Sequence, residues 1–321
     1  MSGFVPPPYP YDRLDRLRPI TDAHPGGTVD LSIGTPFDPP PATVVEALSS
    51  SGTERSYPPS IGTLPFREAA QRWIRRRFDV EVSPSQIGAT IGSKEFVATL
   101  PQWMQLRTPE RDTVLYPAIA YPSYEMGAVL AGCRAVAVRL RPDGRMDLDS
   151  IDSSDAARAL LLWVNSPGNP TGALDDLDAA ARWGRTNEVP VFSDECYVEF
   201  TWEGRGRTIL ESGVDGVVAV HSLSKRSNLA GVRVGFYAGD PELVSYLHDI
   251  RKHVGMRVRG PAQAAAVAAL DDDELVEVQR ARYGSRLGPP ASLVSEWTGE
   301  PVPRPQGAFY LWIPVGDGWE Y

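Results

Sequence analysis

Lys225 ends the run Ser222-Leu223-Ser224-Lys225, which directly follows an apolar, β-branched stretch at residues 217–221. A lysine delivered straight from such a stretch is partly desolvated, which disfavours the ammonium form and lowers its pKa from the free value of about 10.4. The neutral amine that results can attack a carbonyl and form a Schiff base. Arg233 follows in the same region. The plain alternative is a surface lysine, solvated and inert.

Three other clusters sit at the ends of short apolar runs. Ser193-Asp194-Glu195-Cys196-Tyr197 closes the run at 189–193, and an aspartate three residues before a tyrosine can aim both groups at one bound ring, the carboxylate at a ring nitrogen. Asp194 as a helix cap is the competing reading. Asn165-Ser166-Pro167-Gly168-Asn169-Pro170-Thr171-Gly172 is a sharp loop fixed by proline and glycine, from which Asn169 can present its amide into a cleft, or which is simply a turn. Ile91-Gly92-Ser93-Lys94 precedes a helical pattern, so the glycine turn would offer backbone amides with the Ser93 and Lys94 side chains to a phosphate at a helix N-terminus. An ordinary capped turn would look the same.

These clusters need a scaffold that brings strand ends together. From about residue 87 the pattern alternates short apolar runs, at 113–116, 135–140, 159–164, 189–193 and 217–221, with amphipathic stretches. That is the signature of an α/β fold, a mostly parallel sheet flanked by helices, whose ligand sites lie at the carboxyl ends of the strands. Residues 28–33 read as a further short strand and 66–78 as a helix whose arginines face solvent. Residues 261–283 read as one long helix or two abutting ones, with Asp271, Asp272, Asp273 and Glu274 at a helix start rather than at a metal. The expected division is a proline-rich arm and small-domain segment at 1–35, a large domain at 36–255 and the start of a smaller α+β domain at 256–321.

Composition narrows the class of protein. With 32 Lys and Arg against 41 Asp and Glu the net charge is −9, which disfavours nucleic acid as a partner. Hydrophobic residues at 42% and charged residues at 23% fit a folded domain rather than a disordered chain. Cys133 and Cys196 have no zinc or disulfide spacing, and His221, His248 and His253 have no metal-ligand spacing, so no metal is expected. No basic start leads into an apolar leader and no apolar run reaches membrane-spanning length, so the expectation is a cytoplasmic protein with no membrane partner.

Taken in order, the glycine turn, the Asn169 loop, Asp194-x-x-Tyr197 and Ser222-x-x-Lys225 with Arg233 resemble the class I/II aminotransferases, pyridoxal-phosphate enzymes of fold type I. Gly34 in L-S-I-G-T-P, Tyr57 in S-Y-P-P-S-I-G-T and Tyr121 in A-Y-P-S-Y extend the likeness over nearly the whole chain. Within the family, P-Y-D-R-L, A-H-P-G-G-T-V-D-L-S-I-G-T-P, S-D-E-C-Y, H-S-L-S-K and R-K-H-V-G-M look most like actinobacterial succinyldiaminopimelate aminotransferases. The resemblance implies that Lys225 bonds pyridoxal phosphate and moves the substrate's α-proton, and that Asp194 pairs with the ring nitrogen. It implies that Tyr197 and Asn169 hold the ring's phenolate oxygen, that Tyr121 stacks on the ring, and that Ser93, Lys94, Ser222 and Arg233 hold the phosphate, Ser224 adding a hydroxyl. Gly34 and Asn169 would line the substrate, an amino acid or 2-oxo acid, and Tyr57 would reach the partner's phosphate across a homodimer.

The implied reaction passes the amino group of glutamate to N-succinyl-2-amino-6-oxopimelate, in lysine and diaminopimelate biosynthesis. Rival readings are an aspartate or aromatic aminotransferase, a carbon–sulfur lyase of the same fold, and a cofactor-sensing regulator, which the lack of a basic winged helix before Gly34 disfavours. A further departure concerns the end of the chain. G-A-F-Y-L-W-I-P-V-G-D-G-W-E-Y reads as the first central strand of the small domain, whereas the family continues to a strand bearing an arginine for the substrate's α-carboxylate. No residue matches that arginine, and nothing in the spacing of Arg257 or Arg259 makes either a substitute, so a truncated, cofactor-binding but impaired fragment is also expected.

Overall fold

The computed structural model describes residues 4–53 and 55–313. The chain divides into two compact units, Met1–Thr35 and Pro36–Tyr321. The first holds a 3-10 helix, Pro10–Leu17, and helix α1 (Arg18–Asp22), neither with a buried residue. Residues 28–33 do not form the expected strand. They pair with no strand among the described residues and leave Val29 and Leu31 79% and 84% exposed, since an isolated extended segment has no ladder to hold it.

In the second unit one seven-stranded sheet carries everything else. Its strands are β1 (Ile87–Thr90), β2 (Thr113–Pro117), β3 (Arg134–Val138), β4 (Ala159–Asn165), β5 (Val191–Asp194), β6 (Val217–Ser222) and β7 (Gly235–Gly239). Their spatial order is β1-β7-β6-β5-β4-β2-β3. Only β7 runs antiparallel to its neighbours; the remaining pairs are parallel. The helices are α2 (Ala42–Ser49), α3 (Leu64–Phe78), α4 (Ser93–Arg107), α5 (Ser123–Leu130), α6 (Ser153–Arg158), α7 (Leu177–Asn187), α8 (Leu223–Arg226), α9 (Pro241–Val254), α10 (Gly260–Leu270) and α11 (Asp273–Thr298).

The central strands are apolar throughout because helices cover both faces. Leu162, Val164, Val191, Ala219 and Phe236 pack on one side with Phe66 and Ile74 of α3 and Ala265 of α10. Alternate residues Leu161, Trp163, Phe192, Val218 and Tyr237 pack on the other with Phe96 and Leu100 of α4 and Leu247 of α9. β1 and β7 were not expected from the sequence, being short and glycine-containing. Gly88 of β1 faces Tyr237 of β7, and a Cβ there would lie 2.3 Å from the Tyr237 ring. The glycine that weakens the strand signal is what lets the pair close.

The arginines of α3 are not simply solvated. Arg72 pairs with Asp271, Arg76 with Asp273 and Arg77 with buried Glu199, so the acidic cluster at the start of α11 is partly neutralised by this helix. Asp272 caps α11 by accepting the Leu275 amide at 2.9 Å. Two abutting helices, α10 and α11, occupy the region read as one or two. No described helix is long and apolar enough to cross a membrane.

β4, β5 and β6 are parallel and in register, with Asn165 opposite Asp194 and Asp194 opposite Val220. β1, antiparallel to β7 and hence parallel to β6, ends at the same edge. That edge collects the chemistry.

Candidate active site

Asp194 is the last residue of β5 and is buried. Tyr124 Oη donates to its Oδ2 at 2.9 Å and the Cys196 amide to its Oδ1 at 3.1 Å. Burial raises the carboxyl's pKa, and the bonds from Cys196 and Tyr124 oppose that rise. Cys196 also reaches back to Ser93 Oγ at 3.2 Å, which fastens the turn after β1 to the end of β5. Tyr124 was missed as a functional residue although it ends A-Y-P-S-Y. It sits in the first turn of α5 with its ring against Trp163, so only the fold reveals that it faces Asp194.

Lys225 lies in α8, the short helix that β6 feeds, where Ser222 caps by accepting the Ser224 amide at 3.2 Å. Burial lowers the Lys225 pKa, Cys196 raises it and the nearby Arg233 lowers it. The helix is pinned by the next residue: Arg226, buried, donates to Ala269 O at 2.9 Å and to Glu199 at 3.4 Å. Lys225 Nζ stands 5.9 Å from the centre of the Phe309 ring.

Asn169 and Tyr197 come together, the Asn169 amide donating to Tyr197 Oη at 3.5 Å. The loop that carries Asn169 is organised by Asn165, which accepts the Asn169 N–H at 2.7 Å and donates to Asp194 O at 2.9 Å. Tyr197 Oη also lies 2.7 Å from Tyr310 Oη. The segment bearing Tyr310 is not a sheet strand among the described residues. It makes an isolated β-bridge between Thr201 and Gly307 and further hydrogen bonds to the chain around residues 172–174 and 200–203. Where the chain ends, and whether an arginine follows, lies outside the described residues.

The glycine turn and Arg233 meet in one corner. Gly92 adopts φ 70°, and a Cβ on it would stand 2.2 Å from an Arg233 guanidinium nitrogen. Arg233 itself holds a left-handed φ of 60°, donates to Ala230 O at 2.9 Å and approaches Ser224 Oγ at 3.5 Å. Ser93 opens α4, a 15-residue helix whose free amides and dipole favour an anion. Lys94 extends over the Tyr121 ring at 5.8 Å. Glu95 accepts the Ile91 amide at 2.9 Å and is paired with buried Arg251, which fixes the turn from behind. The donor set fits a phosphate, and the half-buried amine, buried carboxyl and buried phenol fit an aldehyde-bearing pyridine ring.

One expected site residue is not joined to this group. Tyr57 is 91% exposed with Arg257 over its ring at 5.7 Å, and no hydrogen bond or ring contact among the described residues ties it to Lys225 or Asp194. Gly34 belongs to the first unit.

Beside Asp194, burial pushes the Glu195 carboxyl from its ordinary 4.5 up to about 8, and pushes His221, whose Nε2 is 3.5 Å away, from 6.5 down to about 3. Between pH 4.5 and 8 the unfolded chain has Glu195 ionised while the fold keeps its proton, so this residue lowers stability as pH rises through that window. His221 acts in the opposite direction, lowering stability as pH falls from 6.5 toward 3. Glu195→Gln keeps an acceptor for the Ile209 amide but cannot ionise. Its urea stability relative to wild type is expected to be higher at pH 8 than at pH 5.5, by roughly 1–3 kcal/mol. The same offset at both pH values would show that Glu195 does not titrate in this window.

A half-buried lysine after β6, a carboxyl ending β5, a phenol three residues on and a glycine turn with Arg233 at the start of α4, all on one sheet edge, fit a pyridoxal-phosphate-dependent enzyme of fold type I. The comparisons agree. The family described as "Aminotransferase class I and II" matches residues 27–317, and the chain belongs to it. The "4-dedimethylamino-4-oxo-anhydrotetracycline transaminase OxyQ" of Streptomyces rimosus is 40% identical over 319 residues, covering 97% of this chain and 85% of that one. An "LL-diaminopimelate aminotransferase" of Aquifex aeolicus is 34% identical over 328 residues, covering 98% and 84%. The solved structure titled "probable N-succinyldiaminopimelate aminotransferase" from Thermus thermophilus superimposes with a TM-score of 0.87 at 31% identity, covering 96% and 85%. The chain is thus an aminotransferase dependent on pyridoxal phosphate.

Proposed function

We propose that Lys225 is the amine that bonds the cofactor and then carries the proton to and from the substrate's α-carbon. Asp194 takes the ring nitrogen, Tyr197 and Asn169 the ring oxygen, Tyr121 the ring face, and Ser93, Lys94, Ser222, Ser224 and Arg233 the phosphate. When bound, pyridoxal phosphate supplies a conjugated, electron-withdrawing ring. The chain's own part is to hold an amine whose ammonium form burial disfavours, a charge beside the ring nitrogen, and a proton donor at the ring oxygen. The observation that carries this reading is the approach of Ser93, Cys196, Asp194 and Tyr124 through successive short contacts. It welds the anion corner to the carboxyl.

The donor proposed is glutamate and the acceptor N-succinyl-2-amino-6-oxopimelate, supported by the likeness to diaminopimelate and succinyldiaminopimelate aminotransferases. The 40% identity to a transaminase named for a ring ketone favours a second reading, a cyclic acceptor. Single-turnover conversion of the amino-loaded enzyme by N-succinyl-2-amino-6-oxopimelate, oxaloacetate, phenylpyruvate and a cyclic ketone separates them. The expected order has the succinylated acid fastest by at least ~10-fold, the worth of one well-made polar contact. A faster cyclic ketone would overturn it. Exposed Tyr57, stacked under Arg257, supports a homodimer in which it serves the partner's phosphate. Two free cysteines support a reducing, cytoplasmic setting.

A further inference from the structure

We propose that Tyr310 is a positioning residue for Tyr197: its hydroxyl donates to Tyr197 Oη and so commits the Tyr197 proton to the oxygen anion in the site. This rests on the reading that Tyr197 serves the cofactor's ring oxygen. A phenol has one proton and two lone pairs. Asn169 approaches Tyr197 Oη with an amide that can only donate, at 3.5 Å, while Tyr310 at 2.7 Å can take either role. If Tyr197 gave its proton to Tyr310, an anion nearby would meet only lone pairs. The head-to-tail order, Tyr310 to Tyr197 to anion, makes every bond with the right polarity, and each donor strengthens the next.

The fold holds Tyr310 to this task. The Gly307 amide donates to Gly172 O at 2.8 Å, the Ala308 amide to Phe200 O at 2.9 Å, and the Trp202 indole to Ala308 O at 2.6 Å. Gly307 passes so close to the Asn169 loop that a Cβ would fall 2.5 Å from Pro167, and Ala308 takes a left-handed φ of 59° to turn the next residues inward. Phe309 then packs edge-on against Tyr197, with ring centres 5.3 Å apart. Both donors to Tyr197 therefore sit on segments bonded to each other, one carrying Asn169 and one carrying Tyr310.

Donation from Tyr197 stabilises the ionised ring oxygen and lowers its hold on a shared proton. Removing the Tyr310 hydroxyl weakens that donation, so the visible absorbance transition of the cofactor-loaded protein should move up in pH. The expected shift for Tyr310→Phe is roughly 0.5 to 1 pH unit, a 3- to 10-fold change in proton affinity. Cofactor affinity should stay within ~3-fold and the thermal midpoint should hold, since the ring is kept. Tyr283→Phe is the control. Its ring lies 4.9 Å from Phe309, but its hydroxyl has no bond to Tyr197, so its titration should match wild type. An unmoved midpoint in Tyr310→Phe, or an equal shift in Tyr283→Phe, overturns the inference while leaving the site reading intact. Loss of any Lys225-linked, pH-dependent absorbance in wild type overturns both.

Discussion

Lys225→Ala is expected to lose covalent cofactor attachment completely and to lower turnover by at least ~10³-fold, because nucleophile and proton carrier are removed together. The chain has only Lys94, Lys225 and Lys252 to choose from, its other basic side chains being arginines that cannot give up a proton. Lys94 and Lys252 are exposed, whereas Lys225 is half-buried, with burial lowering its pKa. Burial thus disfavours the ammonium form at Lys225. Borohydride reduction of the loaded wild type followed by peptide mapping should place the label on Lys225 alone. In Lys225→Ala the cofactor should still be captured through the anion corner, and added methylamine should restore part of the turnover. A label on Lys94 or Lys252, or near-normal turnover of the variant, would remove Lys225 from the centre.

Much of this site was legible because its chemistry follows apolar strands that end in short, proline- and glycine-marked loops. The runs at 159–164 and 217–221 became β4 and β6 within a residue at either end, which put Asn165 and Ser222 at one edge. Other parts depended on pairings that no local pattern carries. β1 and β7 make sense only together, through the space Gly88 leaves for Tyr237. Neither Tyr124 nor Glu95 stood out in the sequence, yet one faces Asp194 and the other braces the glycine turn with Arg251. Residues 28–33 failed the other way. Their β-branched pattern fits a strand, but a strand also requires a neighbour, and none of the described residues supplies it.

Asp194→Ala is expected to bind pyridoxal phosphate within ~10-fold of wild type yet to lose at least ~10²-fold in turnover. The two effects separate because the proposed phosphate donors stand on other elements, the start of α4 and the loop after α8, and Ser93 meets the β5 carboxyl only indirectly, through Cys196. A buried carboxyl with two donors, Tyr124 and Cys196, has part of its desolvation offset, but burial still raises its pKa. A cation beside it completes the compensation, since a buried charge is tolerable only when paired. On the proposed reading a protonated ring nitrogen would supply that cation, and the Asp194 carboxylate would in turn keep the nitrogen protonated and the ring a strong electron acceptor. A purely structural Asp194 would behave differently. Asp194→Asn preserves the shape and can still accept from Tyr124, so a strut would survive that change with activity intact, whereas a charge partner would lose nearly as much as in the alanine variant. The measurement is the single-turnover rate with saturating glutamate for Asp194→Ala and Asp194→Asn, alongside cofactor affinity. An active Asp194→Asn would assign the ring nitrogen to some other residue.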